Sequence, residues 1–364
     1  MHESLLISVI IPVYNGEQFI DRAVQSVLCQ MDGSIELILV DDGSKDQSGP
    51  LCDAYAAKYP HIRVIHKENG GLSSARNAGI ASANGEYLLF LDVDDFLEPE
   101  TCERIIAVIT SYHPDCIDFG WKYVSSHSES THNLHKLPKN ILLDHTYLKT
   151  VILPPLLNLC NDPDHFIYDF SCTKVFRRDI VQTNIVAFDE NRRIWEDRPF
   201  VVQYLKHCKN FYSMDCCFYN YVDIPGSLSR TYSMDFFRII IENFHLYKHL
   251  FGEEYDFNTQ YVNDYWCHAI ENMIFRSLEQ KENREQIREN ILDVLKNEQV
   301  IHWYSKRIPA NRFEKTATSL VIAGHYSKAL YHYSKELASK QKKQHIDRVI
   351  HGIKNRLKKV LSTR

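Results

Sequence analysis

The sequence predicts an α/β fold in which helices flank a mostly parallel sheet, followed by an all-helical C-terminal unit. Over the first 120 residues, short apolar runs alternate with amphipathic segments of helical period. Such repeated β-α units favour a parallel sheet covered by helices on both faces. Beyond residue 235, large apolar residues recur at helical spacing alone: Phe236, Phe237, Ile240, Phe244, Tyr247 and Leu250. We expect this stripe, continued by Tyr331 and Tyr333, to form the core between helices.

Five short apolar runs are predicted to be the strands of the sheet. They span residues 7–13, 35–40, 62–65, 87–91 and 116–119. The first helix is predicted at 17–29, and the second is expected to run to Pro60. We expect Ser73 or Ser74 to cap the third helix. Pro99 is expected to open the fourth, because the first turn of a helix tolerates proline.

The composition indicates a globular protein with two units. At 364 residues, of which 24% are charged, the chain is long enough for a full core. Its ten cysteines include no C-x-x-C pair, which argues against a disulfide framework or a zinc site and for a reducing cytosol. No apolar run reaches the ~18 residues of a membrane span, and the start does not resemble a secretory signal. We expect a cytoplasmic protein, and the net charge of −5 argues against nucleic acid as a partner.

Polar residues follow three of the predicted strands, as Tyr14-Asn15, Asp41-Asp42 and Asp92-Val-Asp-Asp95. Because ligands of parallel sheets bind outside the carboxyl ends of the strands, we expect these clusters on one edge. Side chains alternate along an extended chain, so Asp92 and Asp94 point the same way, about 7 Å apart. Two carboxylates so placed suit Mg²⁺ or Mn²⁺, which take oxygen ligands and a substrate's phosphates. The alternative is a strand that simply ends in a solvated turn.

The chain lacks two common phosphate-binding motifs. No G-x-G-x-x-G follows the first strand, and no G-x-x-x-x-G-K-[ST] occurs. A dinucleotide-binding dehydrogenase and a P-loop enzyme are therefore disfavoured. Without a glycine-rich loop, the charge of a nucleotide would need a metal and cationic side chains. Arg76, just before the fourth strand, is the candidate cation, and the alternative is that it forms a surface ion pair.

Four segments together resemble family 2 glycosyltransferases in sequence, order and spacing. They cover about the first third of the chain and read Ser8-Val-Ile-Ile-Pro-Val-Tyr-Asn15, Val40-Asp-Asp-Gly-Ser44, Gly71-Leu-Ser-Ser-Ala-Arg-Asn-Ala-Gly79 and Phe90-Leu-Asp-Val-Asp-Asp95. The resemblance implies a GT-A fold, which is Rossmann-like. It also implies a nucleotide-sugar donor, a divalent metal and inversion at the anomeric carbon.

The resemblance further implies roles for single residues. Asp42, or its neighbour Asp41, would accept a hydrogen bond from the imide of the base. Asp94 would hold the metal, Mn²⁺ or Mg²⁺, while Asp92 and Asp95 would shape its shell and contact the donor ribose. Pro12, Val13 and Tyr14 would pack on the base, and Arg76 would lie near the base or the diphosphate. Further contacts with the nucleotide sugar would come from Asn15, Glu17, Gly71 and Val93.

A further carboxylate is needed to deprotonate the acceptor hydroxyl. Trp195-Glu-Asp197 resembles the family's glutamate–aspartate motif at a helix start. This implies Asp197 as the general base and Glu196 as a residue that orients the acceptor or caps the helix. The alternative is that both carboxylates only complement the helix N-terminus, worth ~0.3–1 kcal/mol. Gly226-Ser-Leu-Ser-Arg230 resembles a later family loop, in which Arg230 would touch the diphosphate.

We expect a catalytic domain at 1–234, with a nucleotide-sugar half at 1–120 and an acceptor half at 121–234, and a helical region at 235–340. The expected reaction transfers a hexose or N-acetylhexosamine from a nucleotide sugar, with a UDP-sugar favoured, to a carbohydrate acceptor. The family implies a setting in bacterial surface polysaccharide synthesis, such as a capsule or exopolysaccharide. Two alternatives stay open. One is a sugar-phosphate nucleotidyltransferase, although its glycine- and arginine-rich loop is missing, and the other is a non-catalytic nucleotide- or carbohydrate-binding module.

The segment 341–364 is predicted to be a basic amphipathic helix. One face of it carries apolar residues, namely Ile346, Val349, Ile350, Ile353, Leu357, Val360 and Leu361. Its lysines and arginines would attract an anionic membrane surface, where a lipid-linked oligosaccharide acceptor would be found. The enzyme would then dock peripherally on the inner face of the plasma membrane. The alternative is that this face packs on the preceding helices or on a second subunit.

Overall fold

The computed structural model divides the chain into two compact units, Met1–Thr231 and Tyr232–Arg364. It describes the backbone of residues 5–125, 129–132, 137–162, 164–165, 167–224, 233 and 235–361. Side chains are described over the same ranges except 129–132 and 345–361. Each unit has its own core.

The first unit is built on one ten-stranded sheet. Its strands are β1 Ile7–Val13, β2 Ile35–Asp41, β3 Ile62–His66, β4 Tyr87–Phe90, β5 Phe96–Leu97, β6 Cys116–Val124, β7 Glu129–His132, β8 Ile141–Asp144, β9 Lys174–Arg177 and β10 Asn210–Val222. The five predicted strands are therefore confirmed. They are apolar and β-branched, and β1, β2 and β4 are buried along their whole length.

The sheet is mostly parallel but mixed. The strand order is β3-β2-β1-β4-β9-β6-β10-β5, with β7 beside β6 and β8 beside β10. Parallel pairing joins β1 to β2 and β4, β2 to β3, and β6 to β10. Strand β9 lies between β4 and β6 and is antiparallel to both. Because β1, β2 and β4 are parallel, their carboxyl ends meet at one edge of the sheet.

Eight α-helices accompany the sheet among the described residues of this unit. They are α1 Ile20–Leu28, α2 Ser48–Lys58, α3 Leu72–Ser82, α4 Thr101–Tyr112, α5 His145–Tyr147, α6 Leu153–Leu156, α7 Arg178–Thr183 and α8 Asp197–Lys206. Helix α1 forms because Ile20, Ala23, Val24 and Val27 fall on one face and are all buried.

Two predicted helix starts are wrong. Ser73 and Ser74 lie inside α3 and are buried, and the N-cap position is occupied by Gly71 with a φ of 89°. Glycine adopts this left-handed backbone without a steric penalty, so the chain turns there one residue before the helix. Pro99 does not open α4, which begins at Thr101 after Glu100, itself at a φ of 64°. Pro99 and Glu100 form a turn between the short strand β5 and this helix, and the left-handed backbone of Glu100 delays the helix start to Thr101.

The described residues of the second unit form helices joined by turns and short loops. Its helices are α9 Phe236–Phe251, α10 Gln260–Leu278, α11 Arg284–Lys296, α12 Glu298–Lys306, α13 Arg312–Ile322 and α14 Tyr326–Leu361. The rings of Trp266 and Trp303 stack at its centre with centroids 5.6 Å apart. The predicted stripe on α9 is buried except for Leu250, as expected of a core. Tyr333 is also buried, whereas Tyr331 is 71% exposed and the expectation for it is wrong.

Helix α14 continues without interruption from Tyr326 to Leu361, so the predicted tail helix is the second part of one 36-residue helix. The apolar face that begins at Ile346 lies outside the residues whose side chains are described. Within the described part of the chain, we find no helix with the length and apolar character needed to cross a membrane.

Candidate functional site

The site is built where β1 and β2 end beside each other. Val13 is in register with Asp41, the last residue of β2. Beyond them the two loops are joined, since the Asn15 amide donates to Ser44 Oγ (3.0 Å) and its side-chain oxygen accepts from the Lys45 amide (2.8 Å). The predicted grouping of Tyr14-Asn15 with Asp41-Asp42 is therefore present in the structure.

Asp42 holds the glycine turn that precedes α3. Its Oδ1 accepts from Lys67 Nζ (2.7 Å) and from the Gly70 amide (2.9 Å), and its Oδ2 accepts from the Gly71 amide (2.7 Å). The side chain is 3% exposed. A carboxylate has about four acceptor positions, so one is left on Oδ2 for a ligand. The predicted contact with a base stays a prediction, and the contacts present are structural.

Both carboxylate oxygens of Asp41 also have hydrogen-bond partners in the protein. Its Oδ1 accepts from the Ser44 amide (3.0 Å), and its Oδ2 lies 2.9 Å from His66 Nδ1. Burial raises the pKa of Asp41, but the hydrogen bonds from Ser44 and His66 outweigh it and keep that pKa below its ordinary value. Asp41 is therefore ionised, and its hydrogen bonds hold the loop after β2 in place.

Of the residues predicted to pack on a base, Tyr14 is the one whose side chain is presented at the surface. It is 48% exposed, whereas Val13 is 1% exposed and Pro12 is buried within β1. Glu17 accepts from the Gln47 amide (2.8 Å) just before α2, so its carboxylate also has a partner within the protein. Val93 packs against Gly16, where an added Cβ would lie 3.1 Å from Val93 Cγ1.

The three carboxylates after β4 have different environments. Asp95 is 2% exposed, and it accepts from Tyr219 Oη (2.5 Å) and from the Val222 amide (2.8 Å). Asp92 pairs with Arg76 Nη2 at 2.8 Å. The backbone carbonyl of Asp94 accepts from Arg22 Nη2, but its carboxylate accepts from no side chain of the described residues. Its pKa is raised to about 6, first by burial and then by the neighbouring charge of Asp92.

These carboxylates can be tested against a divalent metal. Among the residues that the structure describes, no group of three or more His, Cys, Asp or Glu side chains is arranged to hold a metal ion. Asp94 and the second oxygen of Asp92 are nevertheless hard oxygen donors, and repulsion between them would be relieved by a cation. Mg²⁺ and Mn²⁺ often take few protein ligands and fill their shell with water and phosphate. The pair fits such a metal, with Asp95 holding the turn instead of binding.

Arg76 joins the end of β4 to the start of α8. It is 1% exposed, and its Nη1 lies 2.9 Å from both Glu196 Oε1 and Asp197 Oδ1, while Nη2 contacts Asp92. Its guanidinium also lies over the ring of Phe188, 5.1 Å from the centroid. The alternative of a surface ion pair is therefore wrong. Arg76 compensates three carboxylates, which is why they can be gathered in a largely buried place.

The carboxylate of Asp197 has a raised pKa and one oxygen that is available to a ligand. Burial raises the pKa of Asp197 to about 7, Glu196 and Asp92 add to the increase, and Arg76 and Ser171 oppose it. Ser171 Oγ donates to Oδ1 at 2.5 Å, the same oxygen that Arg76 contacts. Oδ2 therefore has no donor among the described residues. The side chain is 22% exposed, so a hydroxyl can approach that oxygen.

Glu196 occupies the N-cap position of α8 but makes no side-chain cap. Its carboxylate turns inward to Arg76 and is 10% exposed, so the expectation that it caps the helix is wrong. Trp195 precedes it with a φ of 56°, an uncommon backbone conformation for a large side chain, and is 42% exposed. This turn brings Glu196 inside and leaves the indole at the surface beside the site.

A family model described as glycosyl transferase family 2 matches residues 8–185. Residues 8–185, a little under half of the chain, are thus similar to this family. The match takes in β1, the Asp41-Asp42 loop, Arg76 and the carboxylates after β4. It ends before Asp197, so the assignment of a family 2 base at that position stays a prediction.

Two relatives of this chain are proteins of Bacillus subtilis (strain 168). The chain is 33% identical to an uncharacterized glycosyltransferase, EpsJ, over 62% of this chain and 63% of that protein. It is 34% identical to the minor teichoic acid biosynthesis protein GgaB over 53% of this chain and 20% of that protein. The chain thus spans less than two thirds of the length of either relative.

A solved structure with the same fold is that of S. aureus TarS residues 1–349 in complex with UDP-GlcNAc. It matches with a TM-score of 0.63 at 20% identity, over 93% of this chain and 92% of that chain. The expected GT-A fold with a helical C-terminal region is thereby confirmed.

Sequence reasoning missed three residues of this candidate site. Ser171 contacts the predicted base, Tyr219 holds Asp95, and Lys67 holds Asp42. None of them lies in a segment with a recognisable motif, and their partners are 25 to 124 residues away. Arg230, predicted to touch the diphosphate, lies outside the described residues.

Proposed function

We propose that this protein is an inverting hexosyltransferase of family 2. It transfers a hexose or N-acetylhexosamine from a nucleotide sugar, with a UDP-sugar favoured, to a carbohydrate acceptor. The setting is the synthesis of a bacterial surface polysaccharide, supported by the relationship to a teichoic acid biosynthesis protein. A nucleotide-sugar donor is supported by TarS, which shares the fold and was crystallised with UDP and with UDP-GlcNAc.

The observation that carries this proposal is the state of Asp197. Both of its protein donors bind Oδ1, and Oδ2 is left for a substrate hydroxyl. A pKa of about 7 suits a base that must accept a proton near neutral pH and release it again. A carboxylate that only complemented a helix end would have no reason to be gathered with Glu196, Asp92 and a buried arginine.

The proposed step is a single displacement at the anomeric carbon. The acceptor hydroxyl donates its proton to Asp197 Oδ2 as its oxygen forms a bond to C1 of the donor sugar. The bond between C1 and the diphosphate oxygen breaks, and the electron pair leaves on the nucleoside diphosphate. Attack from the face opposite to the leaving group inverts the configuration. Arg76 binds one oxygen of Asp197 and also binds Asp92, which follows β4. The distance between the base and the carboxylate motif, by which we mean Asp92, Asp94 and Asp95, is therefore fixed.

A divalent metal, when bound, would neutralise the charge that develops on the leaving diphosphate. Asp94 and Asp92 would hold it. The tail beyond residue 341 would keep the enzyme at an anionic membrane surface where lipid-linked acceptors lie. This part of the proposal rests on the sequence.

The experiment is a donor screen with the purified full chain and Mn²⁺. UDP-glucose, UDP-galactose, UDP-N-acetylglucosamine and GDP-mannose are incubated with and without carbohydrate acceptors, and released nucleoside diphosphate is measured. We expect release from one or two donors, and a loss of ~10²–10⁴ in rate for Asp197→Asn. Asp179→Asn is the matched control, because that carboxylate is 65% exposed and pairs only with Arg177 on the surface.

Two results would refute the proposal. One is the absence of release from every donor tested with the wild-type chain, as expected of a non-catalytic binding module. The other is a phosphate-exchange reaction between a sugar phosphate and a nucleoside triphosphate, as expected of a nucleotidyltransferase.

A further inference from the structure

Five partly exposed aromatic rings form a cluster in the first unit. They come from β6, β10 and the segment before the 3₁₀ turn Ser171–Thr173, and we call them the aromatic wall: Trp121, Tyr123, Tyr168, Phe170 and Tyr221. Tyr168 and Phe170 stack with centroids 5.3 Å apart, and Trp121 meets both edge-on at 5.5 and 5.9 Å. Tyr221 joins Trp121 at 5.9 Å and Tyr123 at 6.1 Å.

The aromatic wall is connected to both ends of the site already described. Tyr219 lies two residues before Tyr221, so it points to the same face of β10, and it is in register with Trp121. Its hydroxyl donates to Asp95 and accepts from the Asp92 amide at 3.3 Å. At the other end, Phe170 is followed directly by Ser171, which donates to Asp197. The aromatic wall is thus next to the carboxylate motif and to the base.

The buried ammonium group of Lys174 holds the backbone that carries Tyr168 and Phe170. Lys174 is fully buried in β9, where its Nζ pairs with Asp118 Oδ1 at 3.0 Å. The same ammonium donates to the carbonyl oxygens of Tyr168 and Phe170. A buried ammonium that binds two carbonyls of one loop restrains that backbone, so the stacked pair is set before a ligand arrives.

The exposure of Phe170 shows that the wall is not simply core. Its ring is 36% exposed, although many other phenylalanines of this unit, such as Phe90 and Phe200, are fully buried. Grouped aromatic rings at the surface mark a binding site more often than isolated ones do. Their negative π-faces attract the C–H groups on the apolar face of a pyranose ring, and a neighbouring carboxylate binds its hydroxyl groups. The aromatic wall and Asp197 together offer both kinds of contact.

We propose that the aromatic wall is the acceptor subsite, in which a pyranose ring of the acceptor stacks on Phe170 while its hydroxyl group meets Asp197. This inference rests on the proposed function and adds the chemical class of the acceptor end, a cyclic sugar. An extended polyol phosphate offers no flat C–H face and would gain little from these rings.

The test measures binding, so that it does not depend on turnover. Saturation-transfer NMR is recorded on the full chain with saturating UDP and one of three probes. The probes are methyl β-D-glucopyranoside, methyl N-acetyl-β-D-glucosaminide and methyl α-D-galactopyranoside. Methyl glycosides are chosen because an aryl group would itself stack on the rings. We expect at least one probe to bind, with the strongest transfer to the protons of one ring face.

Variants then assign the binding to the wall. Phe170→Leu keeps an apolar side chain but removes the ring, and should weaken binding of the probe at least tenfold, whereas Phe170→Tyr should stay within threefold of the wild type. Tyr112→Leu is the matched control and should not change it, since Tyr112 is 47% exposed in the same unit and contacts Tyr212 away from the site. UDP binding by calorimetry checks that each variant is folded.

Three results would overturn the inference: no binding of any probe by the wild type, equal binding by Phe170→Leu, or a comparable loss in Tyr112→Leu. Failure of the proposed function is seen separately, as absence of nucleoside diphosphate release in the donor screen. A chain that passes that screen and fails this binding test is a glycosyltransferase whose acceptor lies elsewhere.

Discussion

Arg76 Nη1 lies 2.9 Å from Asp197 Oδ1, although 121 residues separate them in the chain. The same nitrogen contacts Glu196, and the other terminal nitrogen contacts Asp92. The guanidinium is therefore the common partner of the proposed base and the carboxylate motif. Its role in the structure is to bring these carboxylates together.

Removal of Arg76 should destabilise the protein and disturb the base. Arg76→Met leaves three carboxylates without their cation, and loss of one partner from a buried ion pair costs about 3–5 kcal/mol of unfolding free energy. Urea unfolding measures this loss. Arg238→Met is the control, because its pair with Glu242 is 47% and 37% exposed and should contribute less than ~1 kcal/mol. Equal losses in the two variants would contradict the central role of Arg76.

The pH dependence should report Asp197. The base works only when deprotonated, so kcat/KM should fall as pH drops below the pKa of about 7 and level off above it. Ser171 donates to the charged form and lowers that pKa, so Ser171→Ala should move the acid limb to higher pH. Ser171→Thr keeps the hydroxyl and should restore the wild-type profile. If the acid limb of the Ser171→Ala profile lies at the same pH as that of the wild type, the group that titrates is not Asp197.

The metal assignment is tested by binding of UDP. Asp94→Asn should abolish the Mn²⁺-dependent part of UDP affinity without unfolding the protein, because Asn keeps the backbone carbonyl that accepts from Arg22 and the carboxylate has no side-chain hydrogen bond to lose among the described residues. Chelation of the wild type should have the same effect. Asp293→Asn, which changes a carboxylate that is 74% exposed in the second unit, should change neither. Persistent Mn²⁺-dependent binding by Asp94→Asn would exclude this ligand.

Nucleotide choice should depend on Asp42. A carboxylate accepts from the N3–H of uracil, whereas cytosine has no proton there, so UDP should bind more tightly than CDP. Asp42→Ala should reduce the difference. Because Asp42 also holds Lys67, Lys67→Met serves as the control, since it removes that ion pair and leaves the carboxylate. If Lys67→Met changes the UDP-to-CDP ratio as much as Asp42→Ala does, the effect comes from the loop and not from a contact with the base.

The tail is tested by truncation after Lys343. The described contacts of α14, such as Lys340 over the ring of Phe275 at 4.3 Å, lie before this point and are retained. We expect a folded, active enzyme that no longer binds anionic liposomes, since each basic residue near such a surface contributes about 1 kcal/mol. Liposome sedimentation at low and high salt measures this. Aggregation of the truncated chain would instead indicate that the removed segment packs on protein.

The positions of the strands and of the carboxylates could be predicted because they depend on local properties. The apolar run of β1 and the acids after β4 are visible in any window of a few residues. The rule that parallel strands present their carboxyl ends at one edge then brought Asn15 and Asp41 together. The predicted helix starts at Ser73 and Pro99 were wrong because a residue with left-handed backbone precedes each helix at another position, Gly71 before α3 and Glu100 before α4.

The charge partners depend on the whole path of the chain. The sequence alone was enough to predict Asp197, Asp94 and Arg76 as candidate residues of a glycosyltransferase site. Only the tertiary structure decided that Arg76 binds Asp197 instead of solvent, that Ser171 leaves Oδ2 open, and that Asp42 holds a glycine turn. An ion pair forms when a buried charge must be compensated by whatever group folding brings within about 3 Å. Local sequence cannot specify that neighbour, since it comes from a distant part of the chain.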